Sequence, residues 1–145
     1  MTDTKTTGSI AAMPHDALAR GGARALLRLE GLAQLAAATI AFHALGGSWA
    51  LFAALFFAPD LSLLGYLAGP RVGAAVYNAG HSLIGPALLA AGGVAFGAPS
   101  LVLGALIWVA HVGFDRALGY GLKHGDAFTS THLGRIGRAL EAEPT

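Results

Sequence analysis

Apolar residues in this chain come in long unbroken runs rather than in alternation, and the interruptions carry the organisation. No Asp, Glu, Lys or Arg occurs from Gly31 to Pro59 or from Val72 to Phe114. Each run is long enough to cross about 30 Å of hydrocarbon at least once. Short breaks rich in glycine and proline divide them: Gly46–Ser48, Gly69–Arg71 and Gly97–Ser100. The pattern predicts helical spans over about 24–45, 49–69, 71–96 and 101–122. Short turns join antiparallel neighbours, so the expected fold is all-α, a four-helix up-down transmembrane bundle. Pro59 and Pro86 fall inside the second and third spans. Pro59 predicts a break in the hydrogen-bond ladder and Pro86 a kink, because proline lacks the N–H and its ring clashes with the carbonyl four residues earlier.

Outside the runs the chain is polar. Residues 1–22 read as a disordered or surface-bound arm, residues 23–124 as the transmembrane domain, and residues 125–145 as a cytoplasmic tail. Within that tail a short surface helix is expected over about Leu133–Leu140. The first apolar run starts near Leu26 and leads into further spans, so no secretory signal peptide is read here.

Composition strengthens the membrane reading. Of 145 residues 54% are hydrophobic and only 12% charged, and the mean hydropathy is +0.60. A soluble domain carries about a quarter charged residues, and a chain this short cannot surround so much apolar helix with polar surface. With no cysteine, disulfides and thiolate metal sites are excluded. No nucleotide motif is present and no nucleic-acid partner is expected.

Charge distribution orients the spans. Arg20, Arg24, Arg28, Arg71, Arg116, Lys123, Arg135 and Arg138 all fall in the amino-terminal arm, the middle turn or the carboxy-terminal end. The other two turns carry no charge. With four spans these positive regions share one side, which places both termini in the cytoplasm.

The chemistry gathers at the end of the fourth span, HVGFDRALGYGLK, from His111 to Lys123. On a helix His111 and Asp115 share a face, one turn apart. Counting 1.5 Å per residue from the cytoplasmic ends puts Asp60 and Asp115 about 10 Å deep and His81 and His111 about 15 Å. Charges at such depth are costly, roughly 2.5–3.5 kcal/mol each at mid-span, so they are expected to pair, to neutralise or to take a ligand. The candidate catalytic residues are therefore Asp60, His81, His111 and Asp115. His81, His111 and Asp115 suit a divalent metal that activates water. Glu30, Arg71, Tyr77, Asn78, Arg116, Tyr120 and His132 are the candidate substrate contacts at the mouth.

Three other uses of these residues stay open. The cluster is internal glue if Asp60 and Asp115 pair with Arg71 and Arg116. A proton-linked or ion-linked carrier would use the same groups as a relay, although the outer half offers only His43. Two histidines at similar depth also suit the axial positions of a haem.

The strings RLEGLAQL, LGGSWALFAALFFAPDLSLLGYLAGPRVGAAVYNAGHS, HVGFDRALGYGLK and FTSTHLG resemble the small bacterial membrane proteins grouped as domain of unknown function 4260. The resemblance covers about Arg28–Gly134. It implies an integral protein of the bacterial inner membrane and supplies no mechanism. Ser130 stands where that family usually has an aspartate before THLG. The functional expectation is a membrane-embedded enzyme, metal-assisted or acid–base, acting on a lipid-like or small amphipathic substrate. Membrane lipids are its expected partners, and an oligomer is compatible with the sequence.

Overall fold

The structure is a computed structural model that describes residues 15–123, 130–131 and 134–135, with side chains from 21 to 123. It is helical: α1 (His15–Ala44), α2 (Trp49–Leu55), a 3₁₀ helix (Ala58–Ala68), α3 (Pro70–His81), α4 (Ile84–Ala95) and α5 (Pro99–Leu118). A two-residue antiparallel pairing joins Ser130–Thr131 to Gly134–Arg135.

The two internal prolines break the helices where their rings demand. Pro59 would clash with the carbonyl of Leu55, and α2 ends at Leu55. Pro86 would clash with the carbonyl of Ser82, and α3 ends at His81 with Ser82 extended (φ −84°, ψ 155°). The third expected span, 71–96, is thus two helices of 12 residues each. Neither alone reaches the roughly 20 residues that a bilayer crossing needs. Gly21–Ala44, Trp49–Ala68 and Pro99–Leu118 are long and apolar enough to cross.

α1 begins at His15, so its first turns lie within the stretch read as the amino-terminal arm. The expected surface helix over 133–140 does not form at Gly134–Arg135, which pair as extended chain; its other residues lie outside those described.

The molecule is inverted relative to a water-soluble fold. Leu67, Phe96, Val94, Ile40, Ile84 and Leu88 are each at least 69% exposed, while His81 is 3% and His111 1% exposed. So much exposed apolar surface marks a protein whose solvent is lipid.

Glycines let the helices approach closely. A Cβ on Gly31 would stand 2.7 Å from the Ala117 nitrogen, and one on Gly113 would stand 2.7 Å from the Leu35 nitrogen. Here α1 and α5 cross backbone to backbone, as small residues allow in membranes. Two residues turn a helix by about 200°. The Gly113 face against α1 is therefore opposite the face that carries His111 and Asp115.

A second close contact sets register. Gly73 lies under the Tyr66 ring, Gly65 against Val76 and Gly80 against Ser62. Each step back along the 3₁₀ helix meets a step forward along α3. Extended by the same rule, the pairing brings Asp60 level with His81.

The α1–α5 crossing gives a testable contrast. Gly31→Leu drives a side chain into the backbone of α5. Its unfolding midpoint in mild detergent is expected to fall by about 10 °C, from an overpacking cost of a few kcal/mol. Gly92 has nothing within 4 Å of a built Cβ, so Gly92→Ala is expected to hold or slightly raise the midpoint. Equal midpoints for the two variants would refute the close crossing.

Candidate metal centre

Asp60 from the 3₁₀ helix, His81 from α3, and His111 and Asp115 from α5 converge, with one ligand atom from each lying within 4.8 Å of all the others. His81 Nε2 stands 3.2 Å from His111 Nε2. It is also 3.4 Å from Asp60 Oδ1 and 3.4 Å from Asp115 Oδ2. His111 Nε2 is 3.5 Å from Asp60 Oδ1. All four residues expected from the sequence to be catalytic are therefore brought together.

The surroundings fix how these groups point. His81 Nδ1 lies 3.0 Å from the Tyr77 carbonyl one turn back on its own helix. A carbonyl can only accept, so Nδ1 carries the proton and donates, leaving the Nε2 lone pair to face the cluster. The Tyr77 ring stacks on His81 at 3.8 Å and 12°, and its hydroxyl donates to Asp115 Oδ2 at 3.1 Å. Tyr77 thus orients both an imidazole and a carboxylate. Phe56 stands edge-on to His111, with ring centroids 5.4 Å apart. His111 Nδ1 is buried and has no hydrogen-bond partner among the described residues.

The His81 Nε2 lone pair faces His111 Nε2 at 3.2 Å, a contact that a proton on His111 Nε2 or a cation between the rings makes favourable. Ligands at about 2.0–2.1 Å in a tetrahedron stand about 3.3–3.4 Å from one another. Four of the six pairs, at 3.2 to 3.5 Å, are close to that spacing, and all six lie within 4.8 Å. Imidazole with carboxylate suits zinc and its divalent neighbours, and the Tyr77 carbonyl and hydroxyl supply the outer hydrogen bonds that metal ligands ordinarily receive.

The expected mouth residues separate into three groups. Tyr77 is at the cluster, and Asn78, Arg116 and Tyr120 border it. Asn78 holds the backbone of Lys123, donating to its carbonyl at 2.9 Å and accepting from its N–H at 2.7 Å. Arg116 reaches Gln34 Oε1 at 3.4 Å and forms no ion pair among the described residues, so the expected Asp–Arg glue is absent there. Tyr120 helps to line a cavity of about 10 Å³ beside Tyr77, His81 and Asp115, room for about one water. Glu30 and Arg71 are exposed. Arg71 stands ten residues before His81, about 15 Å along α3, and is not brought to the cluster. His132 lies outside the described residues.

Sequence reasoning missed two participants. Ser62 lies with its Oγ 3.5 Å from His81 Nδ1. Lys123 is 6% exposed with Nζ 5.1 Å from the Tyr77 ring centroid. Burial holds its ammonium below the ordinary lysine value, and the nearby Asp115 carboxylate opposes that shift. No periodicity marks Lys123, because Gly119 ends α5 at φ +94° and the chain then folds back to Asn78.

A family model described as Domain of unknown function (DUF4260) matches residues 24–136. No curated protein and no solved structure matches the chain.

The Asn78 clamp is open to direct measurement. Asn78→Ala removes both hydrogen bonds to Lys123, about 1–3 kcal/mol in all. Hydrogen exchange at the Lys123 amide is expected to accelerate roughly 10- to 100-fold, and an unchanged rate would show that the turn is held by something else.

Proposed function

Since the chain belongs to the DUF4260 family, whose description names no activity, we propose a function from the site itself. The protein is a polytopic membrane enzyme that uses a divalent metal to activate water against a lipid-like or small amphipathic substrate. The observation that carries this is the convergence of Asp60, His81, His111 and Asp115, with one ligand atom from each within 4.8 Å of the others and His81 Nε2 standing 3.2 Å from His111 Nε2 and 3.4 Å from Asp115 Oδ2.

Roles follow from position. His81, His111 and Asp115 are buried or nearly so and serve as ligands, with Asp115 at 14% side-chain exposure. Asp60 is the most open of the four, at 36%, and serves as the base for a metal-bound water. Three protein ligands with one open position is the pattern of catalytic zinc, whereas four closes the site. The metal supplies Lewis acidity and an acidic water. Tyr77 keeps Asp115 aimed and His81 in the correct tautomer.

The architecture that serves this function is a four-crossing bundle. The segment formed by α2 with the 3₁₀ helix and the segment formed by α3 with α4 each complete one crossing. Positive charge at the amino-terminal arm, the middle turn and the carboxy-terminal end then sets both termini in the cytoplasm of a bacterial inner membrane. The cluster opens to that side, toward Lys123 and Arg116.

Metal analysis of the purified protein tests the proposal. One equivalent of zinc or a neighbouring divalent ion is expected. His111→Ala and Asp115→Ala are expected to lose it while keeping their helical circular dichroism, and Asp60→Ala is expected to retain it. If Asp60→Ala empties the site as fully as the others, the centre is closed and structural, and the enzyme reading fails. If the wild type holds no metal and the histidine variants simply unfold, the cluster is internal hydrogen bonding.

A further inference from the structure

Beside the cluster, between the α2–3₁₀ segment and the α4–α5 pair, lies an apolar groove of about 540 Å³. Its walls include Leu55, Pro59, Val76, Leu89, Ile107 and Trp108, with Ser62 and Gly80 also on its surface. Two of these meet the metal centre directly: Pro59 precedes Asp60, and Ser62 Oγ lies 3.5 Å from His81 Nδ1.

We propose that this groove is the binding site for one unbranched hydrocarbon chain of a membrane lipid, seated so that the polar end of that chain lies at the Ser62, Asp60 and His81 edge. This names the substrate class of the enzyme proposed above and rests on that reading for the chemistry, though not for the binding.

Three observations select hydrocarbon as the occupant. The polar side chains on the wall are already engaged internally: Trp108 Nε1 donates to the Gly80 carbonyl, and Ser62 faces His81. A polar ligand would therefore lose its water and gain little in return. No charged residue lines the groove, so a headgroup finds no counter-charge along it. Size argues against a partner helix, which at about 10 Å across would fill this volume in little over one turn. The volume instead falls in the range of small-molecule sites.

Shape agrees with a chain. Ala58, Ala79, Gly80 and Gly104 keep the walls thin, and a Cβ built on Gly104 meets nothing nearer than Leu89 Cδ2 at 3.8 Å. The groove exists because small residues stand where side chains would otherwise fill it.

Trp108 makes the groove observable. The chain has two tryptophans, so Trp49→Phe leaves Trp108 as the sole reporter. In mild detergent, titration with 9,10-dibromostearate is expected to quench Trp108 saturably. Gly104→Phe and, independently, Ala79→Leu are each expected to weaken that quenching at least fivefold. Metal content is measured on the same samples. Saturable quenching lost in either blocking variant that keeps its helical circular dichroism supports the site. Quenching that does not saturate, or that stays at the unblocked level in both folded blocked variants, overturns it. A groove filled by a second copy of the chain also overturns it, seen as a dimer that Gly104→Phe dissociates. Saturable binding by a protein that holds no metal would retain the groove and remove the enzyme.

Discussion

An ionisable side chain inside hydrocarbon has no water to turn to, so it must find its partners within the protein. Asp60, His81, His111 and Asp115 satisfy that demand by meeting one another, and the helices are arranged so that they can. The exterior is correspondingly apolar, with Leu67 and Phe96 turned outward and the imidazoles turned in. The usual gradient of polarity is reversed because the solvent is reversed.

Meeting at hydrogen-bond distance requires backbones closer than large side chains permit. Glycine supplies the approach on two sides of the site. Gly31 and Gly113 bring α1 and α5 together, and Gly65, Gly73 and Gly80 let the 3₁₀ helix lie along α3. The first contact turns the His111 and Asp115 face of α5 away from α1. The second carries Asp60 to the level of His81. Neither glycine set touches the clustered imidazole and carboxylate atoms, yet both decide where those atoms stand.

The prolines contribute by ending helices at useful points. Pro86 stops α3 at His81, one residue beyond which the chain is extended, so His81 stands at the end of its helix facing the cluster. Pro59 ends α2 and opens the tighter 3₁₀ helix that bears Asp60. Runs of 3₁₀ helix beyond a few residues are uncommon, and an extended one beside a polar cluster is the kind of local departure that functional sites hold. The same gap in helical packing leaves the apolar groove next to the cluster.

Much of this was legible from the chain alone. Uncharged runs fixed the helical, membrane-crossing character, since only helices satisfy their own backbone in lipid. The i, i+4 spacing tied His111 to Asp115, and the rarity of ionisable residues in apolar runs singled out Asp60 and His81. Hydropathy could not show that the third span is two helices, because a run of apolar residues reads the same on either side of a break. Nor could it show that Arg71 is remote while Lys123 is enclosed, or that Tyr77 holds both His81 and Asp115. Those are matters of distance between segments far apart in sequence, set by which small residues face which helix. Sequence counts positions along one helix; only packing decides which positions on different helices come within 3 to 4 Å of each other.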